Sequence, residues 1–139
     1  IVFAPSVFSG LMRISSSGGQ AEPLTTLDKA KDERTHRWPQ WLPGGKAVLF
    51  TSQSGDTSTF DTGTIEVVRT DTGERKVVHR GGYYARYVPS GHVLYVQNGT
   101  LFALPFDAQR LEATGSQMPV LEGLDLTVVN PKVDAAFAD

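Results

Sequence analysis

Apolar residues along this chain fall in short runs, closed by Pro, Gly, Asn or Ser, and no ten-residue window carries a clean helical stripe. One run sets the frame. Trp38-Pro-Gln-Trp-Leu-Pro-Gly-Gly-Lys-Ala-Val-Leu-Phe50 returns in altered form as Tyr84-Ala-Arg-Tyr-Val-Pro-Ser-Gly-His-Val-Leu-Tyr-Val96, so that Trp41, Pro43, Gly45 and Val48 correspond to Tyr87, Pro89, Gly91 and Leu94, 46 residues on. An aromatic strand, a Pro/Gly turn and a second apolar strand at a fixed period predict a repeat architecture. A third strand follows from a glycine in each unit, at Gly10-Leu-Met-Arg-Ile-Ser, Gly63-Thr-Ile-Glu-Val-Val and Gly99-Thr-Leu-Phe-Ala-Leu. Asn98-Gly99 predicts a tight hairpin, because both central positions of a type I′ turn need φ > 0. Fourth strands are expected at Pro23–Leu27, Lys76–His79 and Pro119–Glu122, after turns at Ser17-Gly-Gly, Thr72-Gly-Glu and Asp107–Gly115.

The ends fit the same frame. Ile1, Val2 and Phe3 align with Val48, Leu49 and Phe50 at an offset of 47, so Ile1-Val-Phe-Ala-Pro-Ser reads as a strand under way rather than as a signal sequence. Phe137 aligns with Tyr87 and Trp41, which places the start of a further unit at 133–139. Four short antiparallel strands per repeat is the pattern of a propeller blade, whereas Ig-like sandwiches do not repeat in sequence at this period. The expected fold is therefore all-β: blade one at 1–27, blade two at 36–80 and blade three at 83–124.

Composition narrows the function classes. With 139 residues the chain is one domain long and able to bury a core. A net charge of −2 gives no long-range attraction to nucleic acid, and no apolar run approaches the ~20 residues of a helical membrane span. The absence of cysteine excludes disulfides, thiolate metal sites and cysteine nucleophiles. There is no G-x-S-x-G, no H-E-x-x-H, no phosphate-cradling glycine loop and no metal-ligand spacing, so neither a catalytic constellation nor a cofactor or metal is expected.

The runs Trp41-Leu-Pro-Gly-Gly-Lys-Ala-Val-Leu-Phe50 and Tyr87-Val-Pro-Ser-Gly-His-Val-Leu-Tyr95 resemble the WD-repeat-like blades of the TolB and tricorn type, most of all the propellers attached to bacterial transmembrane Ser/Thr protein kinases. The resemblance implies a propeller and favours a periplasmic or extracytoplasmic location. The chain departs from the family at Gly44 and Ser90, where an acidic turn residue is common. Propellers host unrelated activities. The primary expectation is a non-catalytic binding or assembly module; the alternative is the propeller portion of a larger enzyme or receptor, gating a peptidase or sensing ligand for a kinase.

Blade topology locates a candidate binding face. The loop between strands two and three opens on the same side as the connection to the next blade, and the long insertions Gln53–Thr62 and Asp28–Arg37 both fall there. The face comprises Arg34, His36, Arg37, Asp56, Asp61, Tyr83, Tyr84 and Arg86, to which a protein or small-molecule ligand would bind. Simpler readings stand beside this one. Asp28–Arg34 mixes signs and reads as a solvated loop; Ser54–Gly63 lacks calcium-loop spacing and reads as solvated or disordered. His36 with Arg37 suits an anion or a structural hydrogen bond, His79 and His92 are ordinary surface or edge residues, and Trp38, Trp41, Tyr87 and Phe137 are core. Asn98-Gly-Thr100 matches a glycosylation acceptor, but the turn accounts for it. Three blades cannot close a ring, since propellers take roughly four to eight. Hence the expected partner is a second copy: a homodimer forming one six-bladed propeller, in which strand 133–138 of one copy pairs with Ile1–Ala4 of the other.

Overall fold

A computed structural model of the chain describes residues 1–123; Val133–Asp139, with the strand and blade start expected there, lies outside the described residues. The fold is all-β, with three antiparallel sheets and, among the described residues, no α-helix. The first sheet is β1 (Val2–Phe3), β2 (Met12–Arg13) and β3 (Glu22–Pro23). The second is β4 (Glu33–Trp41), β5 (Ala47–Ser54), β6 (Thr64–Arg69) and β7 (Arg75–Arg80). The third is β8 (Tyr83–Val88), β9 (His92–Gln97) and β10 (Thr100–Asp107), with β11 (Glu112–Ala113) and β12 (Met118–Leu121) both paired to β10. From β1 to β11 strand order within each sheet follows the chain, as short turns between alternating strands dictate, and β12 returns to pair with β10. Asn98 and Gly99 have φ of 49° and 74°, the conformation their hairpin requires.

The alternation of side chains along β5 and β6 shows how the sheets meet. Val48, Phe50 and Val68 join Leu11 and Leu24 in one core cluster, with Val2 and Ala4 against it. Ala47, Leu49, Ile65 and Val67 project the other way and pack with Ala85, Val93, Tyr95, Leu104, Phe106 and Leu111. The second sheet is thus covered on both faces. That explains why Ala47 to Gln53 are all buried and why the run reads as continuously apolar at its start instead of alternating.

Register corrects the repeat alignment by one residue. Trp41 pairs with Val48, whereas Tyr87 pairs with Val93. The position equivalent to Val48 is therefore Val93, not Leu94. The cause is the turn: Leu42 donates to Ala47 across Pro43–Lys46, but Val88 pairs with His92 across the shorter Pro89–Gly91. A slip of one residue exchanges the two faces of a strand, and the corrected register puts Val48 with Phe50, and Val93 with Tyr95, on corresponding faces.

The repeats also exchange bulk between neighbouring positions. His36 lies against Phe50, ring centroids 5.0 Å apart. In the third sheet the residue 46 positions after His36 is Gly82, and the larger Tyr95 stands in place of Phe50. Gly82 has φ of 97°, and a Cβ there would lie 2.6 Å from the Tyr95 ring. The prediction is that Gly82→Ala destabilises the fold by about 2 kcal/mol or more, combining a strained left-handed backbone with an overpacked contact. Urea unfolding tests it; an unchanged midpoint would show that neither the space nor the φ at Gly82 matters.

Candidate functional site

Two bulges build the site. The register of β4 against β5 shifts between Arg37 and Gln40, and that of β8 against β9 shifts between Tyr83 and Arg86. At the corresponding point in each, an aromatic residue takes the left-handed conformation, Trp38 with φ of 53° and Tyr84 with φ of 55°. Bulges re-aim side chains. Here they gather Trp38, Phe60, Tyr83 and Tyr84 into one cluster, with Trp38 centred 5.2 Å from Phe60, 5.9 Å from Tyr83 and 5.4 Å from Tyr84.

Two guanidinium groups flank the rings. Arg37 stands 4.9 Å from the Phe60 ring centre and 5.9 Å from that of Trp38; Arg86 stands 4.7 Å from Tyr84. Arg37 donates to Val7 O at 3.1 Å and to Thr35 Oγ1 at 3.2 Å. Arg86 donates through Nη1 to Trp38 O at 2.8 Å and Ala85 O at 3.0 Å. Both are half-buried, and burial lowers the pKa of each. Among the described residues, neither forms a salt bridge with a carboxylate. Gln40 locks the edge strands β4 and β8 together, donating to Tyr87 O at 3.1 Å and accepting from Tyr87 N at 2.7 Å.

His36 belongs to a different environment. It is fully buried between the first two sheets, with Nδ1 2.7 Å from Thr25 Oγ1 and Nε2 3.0 Å from Glu33 Oε2. Because the Glu33 carboxylate can only accept, a neutral His36 donates from Nε2 and accepts the Thr25 hydroxyl at Nδ1; Thr25 in turn accepts the Leu11 amide at 2.8 Å. Glu33 continues the network to Arg75 at 2.5 Å, and Arg75 reaches Glu66 at 3.0 Å. Burial pushes the His36 pKa down from 6.5 to about 4, assisted by the Arg75 charge and opposed by Glu33. For Glu33, burial raises the pKa, but hydrogen bonds from Arg75 and the Asp28 amide and the charges of Arg75 and His36 outweigh it and hold it at about 2. Hydroxyl, imidazole and carboxylate stand in line here, yet Thr25 is only 6% exposed and His36 not at all.

Of the eight residues placed on the candidate face, the structure brings Arg37, Tyr83, Tyr84 and Arg86 together. Asp61 borders them: its carboxylate raises the Tyr83 pKa, after burial, while Oδ1 accepts the Asn98 amide at 2.8 Å. Arg34 pairs with Asp32 at 2.8 Å, and Asp56 caps its own turn through Ser58 N at 2.8 Å. The loop after β5 is tied at its base, contrary to a merely solvated reading: Gln53 Nε2 donates to Ser54 O, Asp56 O and Thr62 Oγ1 at 2.8 to 3.1 Å. Glu33, within the mixed-charge run expected to be a solvated loop, is a buried residue of β4. His79, expected at the surface or a sheet edge, lies half-buried on the edge strand β7, 4.7 Å from the Tyr95 ring centre. Trp41, read as core, is 41% exposed. Phe60, Glu33 and Arg75 were not anticipated; the signal for the last was Glu66, a carboxylate within the apolar strand Thr64-Ile-Glu-Val-Val68, which demands a buried cation.

A separate cleft of about 880 Å³ opens toward the other end of the second and third sheets, lined by Leu42, Lys46, Arg69, Tyr87, Phe106 and Leu111 among others. No group of three or more metal-ligating side chains occurs among the described residues. Comparison with family models, with curated proteins and with solved structures finds no match.

The network gives the fold a defined acid response. His36 has a folded pKa near 4 against 6.5 when unperturbed, so its stabilisation is complete above 6.5 and is lost as pH falls toward 4. Glu33, at about 2 against 4.5, contributes above 4.5 and loses that contribution as pH falls toward 2. The expected result is a decline in unfolding free energy from pH 6.5 to 4 worth about 3 kcal/mol from His36. In His36→Gln that part of the decline should vanish, although stability at pH 7 is lower. Parallel pH profiles for the two proteins, by urea unfolding, would contradict the assignment.

Proposed function

We propose that this chain is a non-catalytic β-propeller module for binding and assembly, of the WD-repeat-like kind its repeats resemble. The observation that carries the reading is the stacking of the three sheets in chain order, with corresponding residues turned the same way in successive repeats. Val48 and Phe50 face the preceding sheet, as do Val93 and Tyr95; Leu49 and Ile65 face the following one. By the same positions, Leu94, Leu101 and Ala103 form a following face on the third sheet, and Ile1 and Phe3 a preceding face on the first. These two faces match as the halves of the junction made twice within the chain. Two copies joined head to tail through them would supply six blades and close a two-fold ring, the strand expected at 133–138 completing the first sheet of the partner.

A binding role is supported by where the titratable groups stand. The hydroxyl–imidazole–carboxylate line is sealed in the core and serves packing, whereas Arg37 and Arg86, which form no salt bridge with a carboxylate among the described residues, lie half-buried among aromatic rings on β4 and β8. Light scattering on the purified chain tests the assembly: a dimer is expected at low micromolar concentration, converted toward monomer by Leu101→Glu and by removal of Val133–Asp139. A stable, well-folded monomer of the unaltered chain would end the dimer reading, as would a dimer indifferent to both changes.

A further inference from the structure

We propose that the cluster of Arg37, Trp38, Phe60, Tyr83 and Arg86 is a binding site for a carboxylate carried on a flat apolar body. The inference rests on the reading of the chain as a binding module and names its ligand class.

The charge argument comes first. Two guanidiniums share one aromatic cluster, and neither has a salt-bridge carboxylate among the described residues. A guanidinium has five N–H donors. Arg37 uses Nε on Thr35 Oγ1 and Nη2 on Val7 O, while both bonds of Arg86 come from Nη1 alone. Those bonds fix the two forks in place and leave donors for a guest. Asp61, whose carboxylate acts on Tyr83, is already engaged with the Asn98 amide and the Thr59 hydroxyl, at 2.8 and 3.0 Å. Elsewhere this chain does neutralise a half-buried arginine: Arg75 has both Glu33 and Glu66. The contrast marks Arg37 and Arg86 as cations whose counter-charge is supplied from outside.

The rings then select the body of the ligand. Trp38, Phe60 and Tyr83 are each half-buried, and the three ring centres lie 5.2 to 6.0 Å apart, forming a surface that favours a flat apolar group. A free inorganic anion would give up hydration and gain nothing from these rings. An aromatic carboxylate uses both parts, its oxygens on the guanidinium donors and its ring on the cluster. Trp38 and Tyr84, adjacent to the two arginines, hold left-handed backbones at 53° and 55°, a strained pairing of the kind found where a binding surface must be pre-shaped.

Benzoate is the probe. In a Trp41→Phe background Trp38 is the sole tryptophan, and its fluorescence should titrate with benzoate with a Kd on the order of 1 mM. Benzyl alcohol and inorganic phosphate should each bind at least about tenfold more weakly, one lacking charge and the other the flat body. Arg37→Gln/Arg86→Gln should lower benzoate affinity at least about tenfold, and Arg37→Gln alone, which leaves the Arg86 bonds to the β4 backbone intact, at least about threefold. Lys46→Gln, at the far cleft, should leave it unchanged. Phosphate binding as tightly as benzoate, unaltered affinity in the single and double arginine variants, or no titration of the parent protein would overturn the proposal. Light scattering on the same samples separates this result from the assembly reading: a chain that assembles but ignores benzoate retains the module and loses only the ligand class.

Discussion

The second sheet has no face of its own to give to solvent, and the arrangement of its neighbours follows from that. Along β5, Ala47 and Leu49 need cover on one side while Val48 and Phe50 need it on the other, and all four are at most 3% exposed. At roughly 25 cal/mol per Å² of apolar surface, neither side can be left open without forfeiting a large part of the core. A four-stranded antiparallel sheet isolated in water would have one wet face and alternating polar positions. Here the first and third sheets are obligatory partners of the second.

The two junctions answer the requirement in different chemistry. Between the second and third sheets the core is apolar, and Tyr95 stacks on Phe102 with ring centres 5.4 Å apart. At the corresponding place in the second sheet the third strand carries Glu66, 36 residues before Phe102. A buried carboxylate without a partner would cost several kcal/mol, so the junction recruits Arg75 from β7 and Glu33 from the start of β4. The guanidinium also lies 5.6 Å from the Phe50 ring centre. A network of this kind adds little to stability over a well-packed apolar core. It does restrict which sheet can seat there, since only a neighbour offering Thr25 and Thr26 O to His36 and Arg75 completes it.

Much of this was legible in the chain. Period, turn glycines and the Asn98-Gly99 hairpin sufficed to place the strands from β5 to β10 and β12 within a few residues, because each is bounded by residues with a strong local preference. The one-residue slip after the Pro/Gly turn was not legible, since Gly45 and Gly91 align equally well whether or not the strands beyond them do; hydrogen bonding decides that, and only the folded register exposes it. The first sheet proved shorter than its expected strands, with β3 at Glu22–Pro23 where a longer run to Leu27 was read. The Glu33–Arg75 pair escaped because its members are 42 residues apart and one sat within a mixed-charge run. Sequence proximity to Lys29, Lys31 and Arg34 suggested water, but β4 begins at Glu33 and carries it inward.

The candidate site divides along the same line. Arg37, Tyr83, Tyr84 and Arg86 follow from topology, and they meet because the edge strands β4 and β8 bulge at matching places. Arg34 and His36 came from the same stretch and go elsewhere, which period-two alternation does not foresee across a bulge. Phe60 had no local signal at all: it reaches Trp38 only because Gln53 and Asp61 pin the ends of its loop. Two aromatic residues at φ near +55° are an energetic cost of order 1–3 kcal/mol each, repeated at equivalent positions where glycine would relieve it. Glycine would also delete the rings. Retaining Trp38 and Tyr84 there keeps the aromatic cluster beside Arg37 and Arg86; packing accounts for Tyr84, which is 6% exposed and part of the core with Ala85, but not for the half-buried Trp38.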